Sequence, residues 1–150
     1  MKHKPDAGLS QRHQPEIHMD DTTIEQVIQA KGLTAPRVTP ADIEANISAE
    51  FYFTAADAID GLAARLGGYH EPHCIRNDDH LAVPHTRTLT FCVLILKNGF
   101  TVTGESACAS PENFNAELGR EIARANAINK IWPLMGYELR SKLAAEGGAA

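Results

Sequence analysis

Between Gly67 and His85 the chain reads GGYHEPHCIRNDDHLAVPH, which gathers four of the protein's seven histidines and one of its three cysteines. Imidazole and thiolate are the donors zinc accepts, so this stretch is the first place to look for chemistry. His70 and His73 stand three apart with Cys74 beside them, and His80 or His85 would supply a fourth ligand. Zinc, however, needs its donors fixed about 2 Å from the ion, and neither a Cys-x-x-Cys nor a His-Glu-x-x-His frame is present to fix them. Two glycines precede the segment and a proline closes it, as in a solvated loop. The loop reading is preferred over zinc, and no cofactor is expected.

Two other constellations fail on a missing partner. Asp79-His80 followed by a hairpin and a helix brings to mind a His-Asn-His nuclease, with Asn113 and Asn126 available downstream. Yet no histidine follows His85, so the final metal ligand is absent, and Asp79-His80 lies before the hairpin instead of within it. Gly104-Glu-Ser-Ala-Cys108 has only part of the Gly-x-Ser-x-Gly nucleophile elbow, and no base comes after Ser106. Cys92 and Cys108 have no base beside them and are expected as small apolar fillers, not bonded to each other. A non-enzymatic protein is the expectation.

Composition narrows the classes further. A chain of 150 residues suits one domain with one hydrophobic core. The net charge of −5 argues against general nucleic-acid binding, which rests on neutralising phosphates. No run approaches the roughly 18 apolar residues of a membrane span, and residues 1–21 carry no leader-like apolar core. That polar start is expected to be a flexible arm, residues 22–143 the domain, with a His-rich loop at 67–88, and 144–150 a flexible tail. Three cysteines fit a reducing compartment.

Helix punctuation organises the first half. A short helix is predicted after a Thr22 or Thr23 cap, with Ile24, Val27 and Ile28 on one face and Gly32 as the stop. A second opens with Thr39 as cap and Pro40 at its first position and runs through TPADIEANISAEF, stacking Ile43 on Ile47. A third is capped by Thr54, buries Ala58, Leu62 and Leu66, and ends at Gly67-Gly68.

LTFCVLILKNGFTVTGESACA then reads as two strands around Asn98-Gly99, a strong two-residue hairpin signal. That turn would set Ile95 opposite Val102, Val93 opposite Gly104 and Cys92 opposite Glu105. The first strand is apolar on both faces, as in a doubly covered strand, so its outer edge needs a further strand, a helix or a second subunit. Thr101, Thr103 and Glu105 share the polar side of the second strand. With Arg120 or Arg124 they are the candidate ligand- or partner-binding residues. A long helix is predicted from Pro111 to Trp132 after a Ser110 cap, with Leu118, Ile122, Ala125 and Trp132 inward, Ile128 and Ile131 beside them, and Gly119 allowing close approach to the hairpin. Pro133 is expected to end or kink it, with residues 134–143 more helix than strand.

The stretch from LTFCVLILKNGF through GESAC, Asn113-Phe114, Gly119-Arg120 and ARANA to Ile131-Trp132, together with RVTPADIEANISAEFYFTA upstream, resembles the bacteriophage gene-product-49/66 family of small proteins. The resemblance covers residues 37–55 and 88–143 and leaves the His-rich segment outside. It implies a phage or prophage origin and action inside the host bacterium, and it carries no catalytic residues. The expected fold is α+β: an antiparallel, hairpin-centred sheet on one long C-terminal helix, with two or three shorter N-terminal helices. The expected function is an accessory protein that binds a host or phage macromolecule, as a homo-oligomer, in the host cytoplasm. The alternatives are a small-ligand protein for a nucleotide signal and a zinc-binding or nuclease-like protein.

Overall fold

The computed structural model describes residues 20–69 and 85–147. They fall into two units, the first within residues 1–34 and the second within 35–150. The first unit contains helix α1 (Asp21–Ala30). Its cap is Asp20, not Thr22 or Thr23: the Asp20 carboxylate accepts from the Thr23 amide at 2.7 Å. A carboxylate there also suits the positive end of the helix dipole. Gly32 follows in the left-handed conformation, as the stop requires.

The second unit is a three-stranded antiparallel sheet in the order β1-β2-β3, with β1 at Ile47–Thr54, β2 at Leu89–Leu96 and β3 at Thr101–Ala107. Helix α2 (Pro40–Asn46) leads into β1, and α3 (Ala55–Leu66) leaves it. A single turn of 3-10 helix at Pro111–Asn113 precedes the long helix α4 (Ala116–Gly147), which packs along β2 and β3. The architecture is the expected α+β arrangement.

Both predicted threonine caps form full capping boxes, Thr39 with Asp42 and Thr54 with Asp57. Each satisfies amides that a helix start leaves unpaired. The second helix, however, stops at Asn46, and ISAEFYFT becomes a strand. Helical spacing of Ile43 and Ile47 was a weak signal. The free edge of β2 needed main-chain partners, and β-branched and aromatic residues suit that role. In α3 the buried side is Ala56, with Ile59, Leu62 and Ala63 half-buried, while Ala58 and Leu66 face solvent.

The hairpin is present, but its turn is one residue longer than predicted. Gly99 N–H donates to Leu96 O at 2.8 Å and Leu96 N–H to Phe100 O at 2.8 Å, with Gly99 at φ +84°. Lys97, Asn98 and Gly99 thus form a three-residue loop with a left-handed glycine. The register moves with it: Leu94 faces Val102, Cys92 faces Gly104 and Phe91 faces Glu105. A one-residue slip exchanges the faces that meet. The observed register puts Val102 and Gly104 on the same side as Leu94 and Cys92, under α4.

That side is the core: Ile43, Cys92, Leu94, Leu96, Val102, Ala123, Ala127 and Ile131 are buried together. Complete burial of a side chain such as Leu94 or Ile131 contributes about 1.5–3 kcal/mol. The inward stripe of α4 is Gly119, Ala123, Ala127 and Ile131; of the predicted face Ile131 is buried and Ile128 and Trp132 pack partly buried on the core, while Leu118 and Ile122 are 52% and 43% exposed. Small residues face the sheet because the two backbones nearly touch. A Cβ placed on Gly104 would overlap the Ala123 carbonyl oxygen and the Ala127 amide nitrogen. At Gly119 it would lie 2.9 Å from Thr90 Oγ1, which is the close approach expected there.

Helix α4 begins after Asn115, whose side chain accepts from the Leu118 amide at 2.9 Å, and not at the predicted Pro111, where Ser110 makes no side-chain cap bond; it continues through Pro133 to Gly147. Pro133 lies on the exposed side of the helix, where the carbonyl that loses its N–H partner is open to solvent. At 32 residues the helix is about 48 Å long, against about 26 Å for an eight-residue strand, so its C-terminal half extends past the sheet.

Gly104→Ala is expected to cost at least about 3 kcal/mol, because helix backbone cannot yield to the new methyl. Gly136→Ala, with nothing within 4 Å, should gain about 0.5–1 kcal/mol. Urea unfolding of the two variants beside wild type reads both signs.

Candidate functional site

Three places bring polar and apolar groups together. The first is a clamp across the helix and sheet layers. Arg124, in the third turn of α4, lies over Glu50 of β1 and Glu44 of α2. Its Nη1 and Nη2 donate to Glu44 at 3.0 and 2.7 Å. Its Nε donates to Glu50 Oε2 at 3.1 Å and its Nη2 to Glu50 Oε1 at 2.7 Å. Tyr52 O–H donates to Glu50 Oε2 at 2.5 Å. The guanidinium fork suits two carboxylates at once. Arg124 holds the Glu50 carboxyl below its ordinary range, and the two glutamates hold the Arg124 proton more tightly still. Burial, with the Glu50 bond behind it, raises the Tyr52 phenol. Burial also pushes the Cys92 thiol up, which makes it a poor nucleophile. The clamp joins three elements and leaves its ionisable groups committed to one another.

The second place is a cavity of about 180 Å³ where α4 begins, lined by residues that include Tyr52, Phe53, Thr90, Phe114 and Arg120. Aromatic rings form its walls and Arg120 supplies a cation. Thr90 is only 3% exposed, and its Oγ1 has no hydrogen-bond partner.

The third is a groove between α2, the hairpin tip and the overhanging half of α4. Two cavities of about 350 and 260 Å³ share Asn46, Met135 and Glu138. Val38, Leu96, Met135 and Leu139 give it an apolar floor. Phe100 and Leu134 stand exposed at its lip. Arg37, Lys97 and Lys142 sit on the rim beside Asp42 and Glu138.

The predicted binding residues do not meet at one point. Thr101, Thr103 and Glu105 share the sheet face turned away from α4, as their pairing with Ile95, Val93 and Phe91 requires. Arg120 belongs to the cavity at the start of α4, and Arg124 to the clamp. Of the weak metal candidates, His70, His73, Cys74 and His80 lie outside the described residues, while His85 is exposed ahead of β2. Among the described residues no group of three His, Cys, Asp or Glu side chains is arranged to hold a metal ion. Sequence reasoning missed the groove and the clamp. Phe100 beside the turn and Leu134-Met135 after Pro133 were visible as apolar residues at element ends. The partners of Arg124 lie 74 and 80 positions away, beyond any local pattern.

A sheet-and-helix domain with a small-residue seam defines a compact α+β class. Residues 38–143 match the phage protein family described as N4 Gp49/phage Sf6 gene 66, and the chain belongs to that family. No curated protein and no solved structure matches the chain. No helix among the described residues is long and apolar enough to cross a membrane.

The clamp has a pH signature. Because the folded Glu50 pKa lies below its ordinary value of 4.5, the stabilisation is complete above that pH and is lost as pH falls through the lower native value. Arg124→Ala should cost about 1–2 kcal/mol at neutral pH, mainly by unpairing Glu50, since half-exposed Glu44 is solvated without it. Glu50→Gln should flatten the fall in stability on acidification below about pH 4.5. Chemical denaturation across that range compares them with wild type.

Proposed function

We propose that this protein is a phage accessory protein that acts in the host cytoplasm by binding a host or phage protein, without catalysing a reaction on it. Membership of a phage family supports the setting. The observation that carries the binding reading is the groove at the hairpin tip. Its floor is apolar, two large apolar side chains remain at its lip, and charged groups surround it. Apolar anchors entering such a cleft, with a polar rim excluding water, are how protein partners gain most of their affinity. The ionisable groups whose proton affinities are displaced furthest, Arg124 and Tyr52, are both bonded to Glu50 within the clamp.

Phe100→Glu with Leu134→Glu should leave folding intact, since both side chains are exposed. The pair should remove specific partners captured from infected cells by the tagged full chain. An unchanged set of captured proteins from a folded double variant would sink this reading.

A second reading is favoured by the cavity at the start of α4: a small planar anion, such as a nucleotide signal, between the aromatic walls with its charge on Arg120. Thermal-shift measurements against a nucleotide panel should then show stabilisation that Arg120→Ala abolishes. An absence of any shift would remove this reading and leave the groove standing.

A further inference from the structure

The two edges of the sheet are finished differently. The bonds Leu96 N–H to Phe100 O and Cys108 N–H to Thr88 O, at 2.8 and 3.0 Å, turn the even-numbered residues of β3 toward β2. Because strands alternate, the main-chain groups of Thr103 and Glu105 point outward. Thr101 and Ala107 point outward at the strand's ends, and the carbonyls of the two central residues are occupied. Lys130 Nζ donates to Thr103 O at 2.7 Å and Asn126 Nδ2 to Glu105 O at 2.8 Å. Two side chains one turn apart on α4 therefore close that edge to an incoming strand, a known way of protecting a sheet edge.

β1 has no such guard at its centre. The odd-numbered residues of β2 bond toward β1, so Ala49, Phe51 and Phe53 point their main chains inward, while Glu50 and Tyr52 point theirs out. The outward Thr54 amide is taken by Asp57 at 2.7 Å. Glu50 and Tyr52 offer outward N–H and C=O groups for which no partner is found among the described residues. Between them Phe51 stands 54% exposed, on the face turned away from α4, where Val93 and Phe91 continue the apolar surface.

We propose that β1 pairs antiparallel with β1 of a second copy of this chain, on a two-fold axis at Phe51, to give one continuous six-stranded sheet. Charge and the occupied Thr54 amide select the register: centring on Tyr52 would set Glu50 opposite Thr54, whose N–H is already given to Asp57. Centring on Glu50 would set Glu50 opposite its own copy, two like charges face to face. Centring on Phe51 sets Glu50 against Tyr52 of the second copy, exchanging both main-chain bonds, and stacks the two Phe51 rings as a close, non-hydrogen-bonded pair. The guard on β3 explains why assembly closes at two: a β1-to-β3 contact would repeat without end, and Asn126 and Lys130 occupy the acceptors it needs. This inference is independent of the groove, which lies at the hairpin tip.

Light scattering on the purified full chain should give twice the 16.3 kDa chain mass. Phe51→Lys, at an exposed position, should keep the monomer folded and weaken the dimer roughly tenfold or more, since two lysines would meet on the axis. Phe51→Cys should form an intermolecular disulfide on mild oxidation, because facing residues of this kind lie within the distance such a bond spans. Thr103→Cys, on the guarded edge, should cross-link no more than wild type. A monomer at all concentrations, a dimer indifferent to Phe51→Lys, or cross-linking by the Thr103→Cys variant but not by Phe51→Cys would overturn the proposal. So would capture by the Phe51→Cys protein of an unrelated strand in place of its own copy.

Discussion

Gly104 lies against the backbone of α4 between Ala123 and Ala127, where a single added carbon would overlap a carbonyl oxygen. This contact brings the helix unusually close to the sheet, and much else follows from it. Side chains facing the seam must be small, hence Gly119, Ala123 and Ala127 in a row at four-residue intervals. The register of the hairpin must place Gly104 at that point, hence the three-residue turn. The larger apolar residues Ile43, Leu94 and Ile131 then fill the volume around the seam. Close packing of this kind transmits a small error widely, because interiors have little free volume to absorb it.

Polar chemistry is organised around the same seam. Arg124 is the residue after buried Ala123, so its side chain leaves the helix beside β1 and reaches Glu50 and Glu44. Asn126 and Lys130 lie on the opposite flank and reach the outer carbonyls of β3. One helix thereby fastens one edge strand through ionic bonds and caps the other through hydrogen bonds. Its final turns, running beyond the sheet, form a wall of the hairpin-tip groove. Tyr137, 78% exposed, stands on this overhang. The hairpin-tip groove thus arises where the helix outruns the strands, and the open main-chain groups of β1 lie on the edge that the helix does not cap.

Much of this was legible from local pattern. Thr39-Pro40 with Asp42, Thr54 with Asp57, and Gly67 after Leu66 named two helix starts and one stop, since capping depends on residues within a few positions. Apolar residues on both faces of Leu89–Leu96 announced a central strand needing a neighbour on each side. What misled was periodicity where it was short. Ile43 and Ile47 share a helical face on paper, yet Ile47 begins a strand. Leu118 and Ile122 looked like the inward ladder of α4, yet alanines and glycine occupy that side, because hydrophobicity predicts burial while close backbone approach selects for small volume.

By itself, then, the sequence determined where the chain turns, the starts of α2 and α3 and which strand must lie centrally, because those outcomes depend on steric and hydrogen-bonding preferences of near neighbours. Its family was equally legible in the motifs of residues 37–55 and 88–143, and the family match spans residues 38–143. Tertiary structure alone decided the hairpin register, the strand fate of residues 47–54, the inward face of α4 and the partners of Arg124. Each of those is a choice between locally similar alternatives. Contacts between residues dozens of positions apart break the tie, and no short window of sequence contains them.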